Sequence, residues 1–230
     1  MSTPAPSLSP TERTTVRRGS NRALDDRAAL HALLEVALVA HLGVDVGDHP
    51  VVLPVAFAVD PDGPDDGGTL YIHGSVAARW LTASSTTTVC VTVTELDGLV
   101  AARSGFHHSM NYRCAVVIGA ARLVEDPAEK SRALSLTVDH MVPGRAATLR
   151  EPTRKELAAT SVLAVPLREA SMKRRDGDPV DEPEDVATGA WAGVIPVRRV
   201  AGAPLSAADS HDHVPADVTA RAAGLSDAIG

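Results

Sequence analysis

Apolar positions along the chain switch between two spacings. From Ala23, the run ALDDRAALHALLEVAL places Leu30, Leu33, Leu34, Ala37 and Leu38 at helical intervals, and Asp25 or Asp26 stands where a helix cap is needed. LVAHLGV and VVLPVAFAV then read as two strands joined at Gly-Asp-His-Pro, and DPDGPDDGG (Asp60 to Gly68) as a loop. TLYIHG predicts a short strand and SVAARWLTAS a short helix capped by Ser75. TTVCVTVTE alternates strictly, LDGLVAARS reads as a further strand, and YRCAVVIGAARLVE as a long one with Gly119 marking a bulge or kink. DPAEKSRALSLTVDHM is an amphipathic helix, and TRKELAAT a helical turn before SVLAVPLREASMKR. A polar loop covers Asp176 to Gly189, and WAGVIPVRRV is a last strand.

Six or more strands on short connections, with helices at the ends and between strands, predict a mainly β fold: an antiparallel barrel or sheet with peripheral helices, not a doubly wound sheet. Residues 1–20, rich in Ser, Thr, Pro and Arg, read as a mobile arm, 21–203 as the folded domain and 204–230 as a tail. Neither common nucleotide loop, G-x-G-x-x-G or G-x-x-x-x-G-K-[ST], is present.

A net charge of −7 with no basic block argues against nucleic acid as partner. One or two local cations still suffice for a single phosphate. Cys90 and Cys114 each lie in an apolar run and read as buried free thiols of a reducing compartment. The N-terminus has no apolar core of a signal peptide, and no stretch approaches the ~20 apolar residues of a membrane span, so a cytoplasmic location is expected.

Two stretches carry candidate chemistry. In LYIHGSVAARW, a helix opened by Ser75 would aim backbone N–H groups and the Ser75 hydroxyl at one place, with Arg79 on the same face and Gly74 allowing close approach. That describes a phosphate seat; a plain cap followed by an exposed arginine is the alternative. In SGFHHSMNYRCAVVIGAARLV, Ser104, His107, His108, Ser109, Asn111, Tyr112 and Arg113 crowd polar groups before an apolar strand, a rim for a polar ligand or, for the two histidines, a solvated turn. No Cys/His/Asp spacing completes a metal site.

These segments, together with EASMKRRDGDPVD and WAGVIPV, resemble the pyridoxamine 5′-phosphate oxidase-like, flavin-binding split-barrel proteins, and among them a bacterial flavin-nucleotide-binding branch related to nitroimidazole-resistance proteins. The similarity runs from about Arg17 to Val200. It implies a six-stranded antiparallel split barrel and a homodimer with FMN at the subunit interface. It places Leu53 to Phe57, including Pro54 and Val55, along the isoalloxazine ring, and His73, Gly74, Ser75 and Arg79 on the phosphate. Ser109, Asn111, Tyr112 and Arg113 would contact the flavin from either subunit, and Trp191 would flank the ring edge. VIPVRRVAGAPL after Trp191 lacks the substrate-gripping arginines and histidine of the true oxidases, and Arg79 stands alone where they carry adjacent basic residues. The resemblance thus implies an FMN-dependent oxidoreductase for another small molecule, such as a nitro-aromatic or quinone-like acceptor, and not a vitamin B6 oxidase. The alternative is a flavin carrier or sensor, or a haem protein with His31, His41, His73, His107 or His108 as axial ligand.

Overall fold

The computed structural model describes residues 8–85, 87–210 and 213–227. In chain order the elements are β1 (Ala23–Leu24), α1 (Arg27–Val36), β2 (Ala40–Asp45), β3 (Pro50–Val55), β4 (Phe57–Asp60), β5 (Thr69–Ser75), α2 (Arg79–Ser84), β6 (Thr88–Ala101), β7 (Ser109–Ala120) and β8 (Arg122–Leu123). There follow α3 (Pro127–Met141), α4 (Arg154–Ala159), β9 (Thr160–Pro166), β10 (Ala170–Arg175), α5 (Pro183–Ala187), β11 (Gly193–Pro196) and α6 (Ala216–Asp227). The strands form two antiparallel sheets: one ordered β1-β10-β7-β6-β2-β3, with β11 also on β6, and one ordered β4-β5-β9-β8. This is the mainly β split barrel, with more strands than the six expected.

The helical spacing of α1 buries Leu30, Leu33 and Leu34, and the Asp26 carboxylate caps it by accepting from the Ala28 N–H at 2.9 Å. These leucines join Leu42, Phe57, Ile72, Val91, Val117 and Val165 between the sheets. A smaller cluster of Tyr71, Val124, Ala133, Val162 and Ala164 lies on the other side of the second sheet, under α3.

Several sequence expectations change here. The apolar run Val51–Val59 is not one strand: it breaks at Ala56, and its halves belong to different sheets. Stretches 87–95 and 96–104 instead merge, because β6 runs on through a register irregularity between Leu96 and Gly98. Gly119 is no bulge; it pairs in register with Val89, and a Cβ there would lie 3.1 Å from Val165 Cγ1 of the other sheet. Sheet-to-sheet approach explains that glycine. The segment expected to be a mobile arm is laid down from Leu8, which is buried; the Ser9 N–H donates to the Ala170 carbonyl at 2.7 Å. In the expected tail, α6 docks on α3, Arg221 donating to the His140 and Met141 carbonyls at 2.9 and 2.8 Å.

An ionic clamp holds loop 60–68 to α3. Arg122 donates to both Asp65 carboxylate oxygens (2.9 and 2.8 Å) and to both oxygens of Glu129 (3.0 and 2.6 Å). The Tyr71 hydroxyl donates to Glu129 at 3.0 Å, and burial together with that carboxylate pushes its pKa up to about 12. Arg132 holds Asp60 at 2.6 Å.

Candidate functional site

A cleft of about 700 Å³ opens between the edge strand β3 and α2. Val51 and Leu53 wall one side, Ala77, Trp80 and Ala83 the other, with Asp48 and His49 at the β2–β3 turn. Its size falls in the range of small-molecule and cofactor sites. His49 was not singled out from the sequence; the Asp-His pair in the turn was the available signal, and its ring Nδ1 lies 2.6 Å from Asp48 Oδ1.

The helix at this cleft begins later than the sequence suggests. Ser75 ends β5, and α2 starts at Arg79 after Ala78, with no side-chain cap. The amides between them are spent inside the chain: Val76 N–H donates to the Ala159 carbonyl (3.1 Å), Ala77 N–H to Ser75 Oγ (3.2 Å) and Ala78 N–H to the Ser75 carbonyl (2.9 Å). A phosphate seat of successive free amides is therefore not formed. What remains is the Ser75 hydroxyl proton, two residues before the cleft-lining Ala77, and the backbone position of Arg79, one before Trp80, whose own side chain (that of Arg79) is outside the described part of the structure. Gly74 is required by packing, since a Cβ there would stand 2.7 Å from Leu81 Cδ1 and 3.2 Å from Trp80 Cζ2.

Strand alternation separates His73 from its neighbours. Tyr71 belongs to the cluster under α3, and His73 pairs with Val162 of that same cluster, whereas Ile72 and Gly74 face the main core and α2. The His73 imidazole thus lies on the far face of the sheet from Gly74, with Nδ1 buried and without a hydrogen-bond partner. Burial holds its pKa below the usual value. His31, on α1, likewise keeps a buried Nε2 with no partner.

Pro54 and Val55 continue β3 below Leu53, paired with His41 and Ala40. The remaining candidates sit elsewhere. Ser109, Asn111, Tyr112 and Arg113 open β7, opposite Val100 to Glu95 of β6, whereas the cleft lies at the Thr88 end. Leu53 is level, through Leu42, with Val91 of β6, and Asn111 is opposite Gly98, so at ~3.3 Å per residue the two places are roughly 23 Å apart along β6. Asn111 Oδ1 accepts from Arg175 and from Gly177 N–H (3.2 Å), and Arg113 grips Asp97 with two hydrogen bonds of 3.0 and 2.8 Å. Trp191 is 69% exposed and lies across Gly193. Together these residues form a finger built on the far half of the β6–β7 hairpin and β11.

Loop 176–189 packs on this finger. Arg103 donates to the fully buried Asp181 carboxylate through its backbone N–H (2.9 Å) and Nη1 (3.0 Å), and through Nε to the Ala190 carbonyl (2.8 Å). Asp181→Ala should release the loop, so limited proteolysis is expected to cut within 176–190 in the variant long before the parent. Equal cleavage rates would show that the ion pair does not hold it.

Across the finger, Leu99 pairs with both Met110 and Ile195, and the three form an apolar row 43%, 52% and 53% exposed. Cys90 and Cys114 are half-buried free thiols whose pKa values burial raises. Among the described residues no group of three or more metal-ligating side chains lies together, and no helix is long and apolar enough to cross a membrane.

No curated protein matches the chain. The structure of the flavocytochrome Anf3 from Azotobacter vinelandii is 36% identical, with a TM-score of 0.84 over 92% of this chain and 97% of its own. That of the FAD and haem binding protein from Mycobacterium smegmatis is 38% identical, with a TM-score of 0.80 over 87% of this chain and 97% of its own. A protein of Bacteroides thetaiotaomicron proposed to confer 5-nitroimidazole resistance shares the fold at 21% identity and a TM-score of 0.52, over 66% of this chain and 85% of its own. The profile of the pyridoxamine 5′-phosphate oxidase family matches residues 26–174. The chain, split in two sheets with its cleft at the β3 edge, belongs to the pyridoxamine 5′-phosphate oxidase family.

Proposed function

We propose that the protein is a flavin-dependent oxidoreductase working as a homodimer, with FMN seated along β3 in the cleft facing α2. The cleft carries this reading. It is large enough for a flavin, its wall is an edge strand with one side unpaired by any strand among the described residues, and Leu53 and Trp80 offer apolar surface to a flat ring. When bound, the flavin supplies the redox chemistry. The chain orients it, excludes water with Leu53 and Trp80, and meets its phosphate with the Ser75 hydroxyl and Arg79. Arg79→Ala is expected to weaken FMN binding by roughly 1.5–3 kcal/mol, the range for a lost hydrogen bond to a charged group. Unchanged affinity by fluorescence titration would remove Arg79 from the site.

With its finger roughly 23 Å along β6 from its own cleft, the chain would offer Ser109, Asn111, Tyr112, Arg113 and Trp191 to a flavin held by a second copy. The row Leu99, Met110 and Ile195 is the surface on which the copies would pair. Leu99→Asp combined with Ile195→Asp should yield a monomer in sedimentation equilibrium, with weakened flavin binding. A dimer that persists in this variant places the interface elsewhere.

A second reading follows from the two most similar solved proteins named here, whose descriptions pair a flavin with haem or cytochrome. The unpartnered, buried His73 Nδ1 and His31 Nε2 are the features of this chain that suit an iron ligand. The purified protein's absorbance spectrum, with mass spectrometry of the heat-released groups, separates the outcomes: FMN alone, or FAD with a Soret band. Reoxidation by a quinone or nitro-aromatic acceptor distinguishes an enzyme from a carrier. A colourless protein that takes up neither FMN, FAD nor haem would overturn both readings.

A further inference from the structure

The N-terminal strap does more than cover the barrel. Between it and the outer side of β7 and β10 lies a second cleft, of about 390 Å³, lined by residues 13–17 together with Cys114, Val116 and residues 171–173. Along β10 the buried Met172 points into the core, so Ser171 and Lys173 point outward, under the strap. Lys173 Nζ donates to the Arg18 carbonyl at 2.8 Å, one of the three bonds an ammonium can give. The Ser171 hydroxyl has no hydrogen-bond partner among the described residues.

Charge concentrates here against the trend of the molecule. In a chain of net charge −7, residues 9–22 hold four arginines and one glutamate, and β10 holds Lys173, Arg174 and Arg175 with no acid. Arg13 and Arg17 line the cleft while pairing with Glu169 and Glu12. Val16, Val116 and the Cys114 thiol give the same cavity an apolar wall.

We propose that this cleft binds an organic anion with an apolar body, a carboxylate or phosphate monoester whose charged end meets Lys173, Ser171 and Arg17 while its body lies against Val16, Val116 and Cys114. The site is built on β7, β10 and the strap, apart from the cleft at β3, so it does not depend on the flavin reading. An ammonium and two guanidinium groups lining one cleft from two elements favour an anion over a neutral ligand.

The test uses the full-length protein saturated with whatever cofactor it retains, and 1-naphthyl phosphate, 1-naphthoate and the neutral 1-naphthol as probes. Calorimetry should show binding of an anionic probe and none of 1-naphthol, and Lys173→Gln should weaken the anion about tenfold while leaving the thermal midpoint and cofactor content unchanged. Which of the two anions binds tighter identifies the headgroup. The bound probe should also slow N-ethylmaleimide labelling of Cys114 and leave Cys90 unaffected, as read by peptide mass spectrometry. Equal binding of 1-naphthol, unchanged affinity in Lys173→Gln, or protection of Cys90 in place of Cys114 would each overturn the assignment. If Lys173→Gln perturbs the fold, Ser171→Ala and Arg17→Gln serve in its place, with the same weakening expected.

Discussion

Gly74→Val is expected to strip the protein of its flavin while leaving most of the barrel intact. A single Cβ at this position already stands 2.7 Å from Leu81 Cδ1 and 3.2 Å from Trp80 Cζ2, and valine adds two methyl groups beyond it. Leu81 is buried, so it has little room to yield, and the six-residue α2 must move as a body away from β5. Overpacking of this kind typically costs about 1–3 kcal/mol. The damage to function should be larger, because α2 is one wall of the cleft and Trp80 and Ala83 move with it. Flavin affinity should fall at least tenfold, with circular dichroism unchanged. Full flavin occupancy in Gly74→Val would mean that the cofactor does not rest on α2.

Arg122→Met should be the most destabilising surface-proximal change. It leaves Asp65 and Glu129, with side chains 13% and 15% exposed, facing each other with no cation between them. Breaking a fully buried pair costs 3–5 kcal/mol; with Arg122 itself 37% exposed, about 2–3 kcal/mol is expected. The pH dependence gives the sign. Burial alone raises the Asp65 carboxyl, but hydrogen bonds from Arg122 and Thr69 outweigh it and hold the pKa below its ordinary value. Asp65 therefore contributes stability above roughly pH 4, its unfolded pKa, and that contribution is lost as pH falls through the lower folded value. Without Arg122 the two carboxylates repel, the folded Asp65 carboxyl loses what held its pKa down, and acidification relieves the variant. The urea midpoints of parent and variant should converge between pH 7 and pH 4. A difference that stays constant with pH would show that lost packing, not charge, sets the cost.

Where local spacing decides structure, the sequence was readable. Asp26 before Leu30, Leu33 and Leu34 marks α1, and Asp126 before Pro127 marks α3, its carboxylate accepting from the Glu129 N–H at 2.9 Å. Choices made by the sheets were not. Nothing within Val51–Val59 says that Val55 and Phe57 belong to different sheets, because an apolar run suits either. The helix start at Ser75 was misjudged for a related reason. Ser75 is a good cap by type, yet β9 pairs with β5 all the way to Ser75↔Thr160, which holds it in a strand. The same pairing turns His73 away from Gly74, a consequence of register that local spacing cannot reveal. Leu8 escaped notice because one apolar residue in a Ser/Pro-rich stretch carries no period, and α6 because its sequence, ADVTARAAGLSD, is weakly amphipathic.

The long β6–β7 hairpin sets the order in which the chain can assemble. Its strands are joined by residues 102–108 alone, so closing it carries a small entropic penalty, and it can form early as a template for β2, β10 and β11. The second sheet has a local start in the β4–β5 hairpin, joined by residues 61–68, but β5 must wait for β9, residues 160–166, before that sheet is complete. That late closure joins the two walls of the barrel and brings Val76 to Ala159 beside the cleft at β3. Refolding should thus proceed through a species with the first sheet formed and the cleft at β3 still open, so the proposed flavin would be captured last, as the barrel shuts.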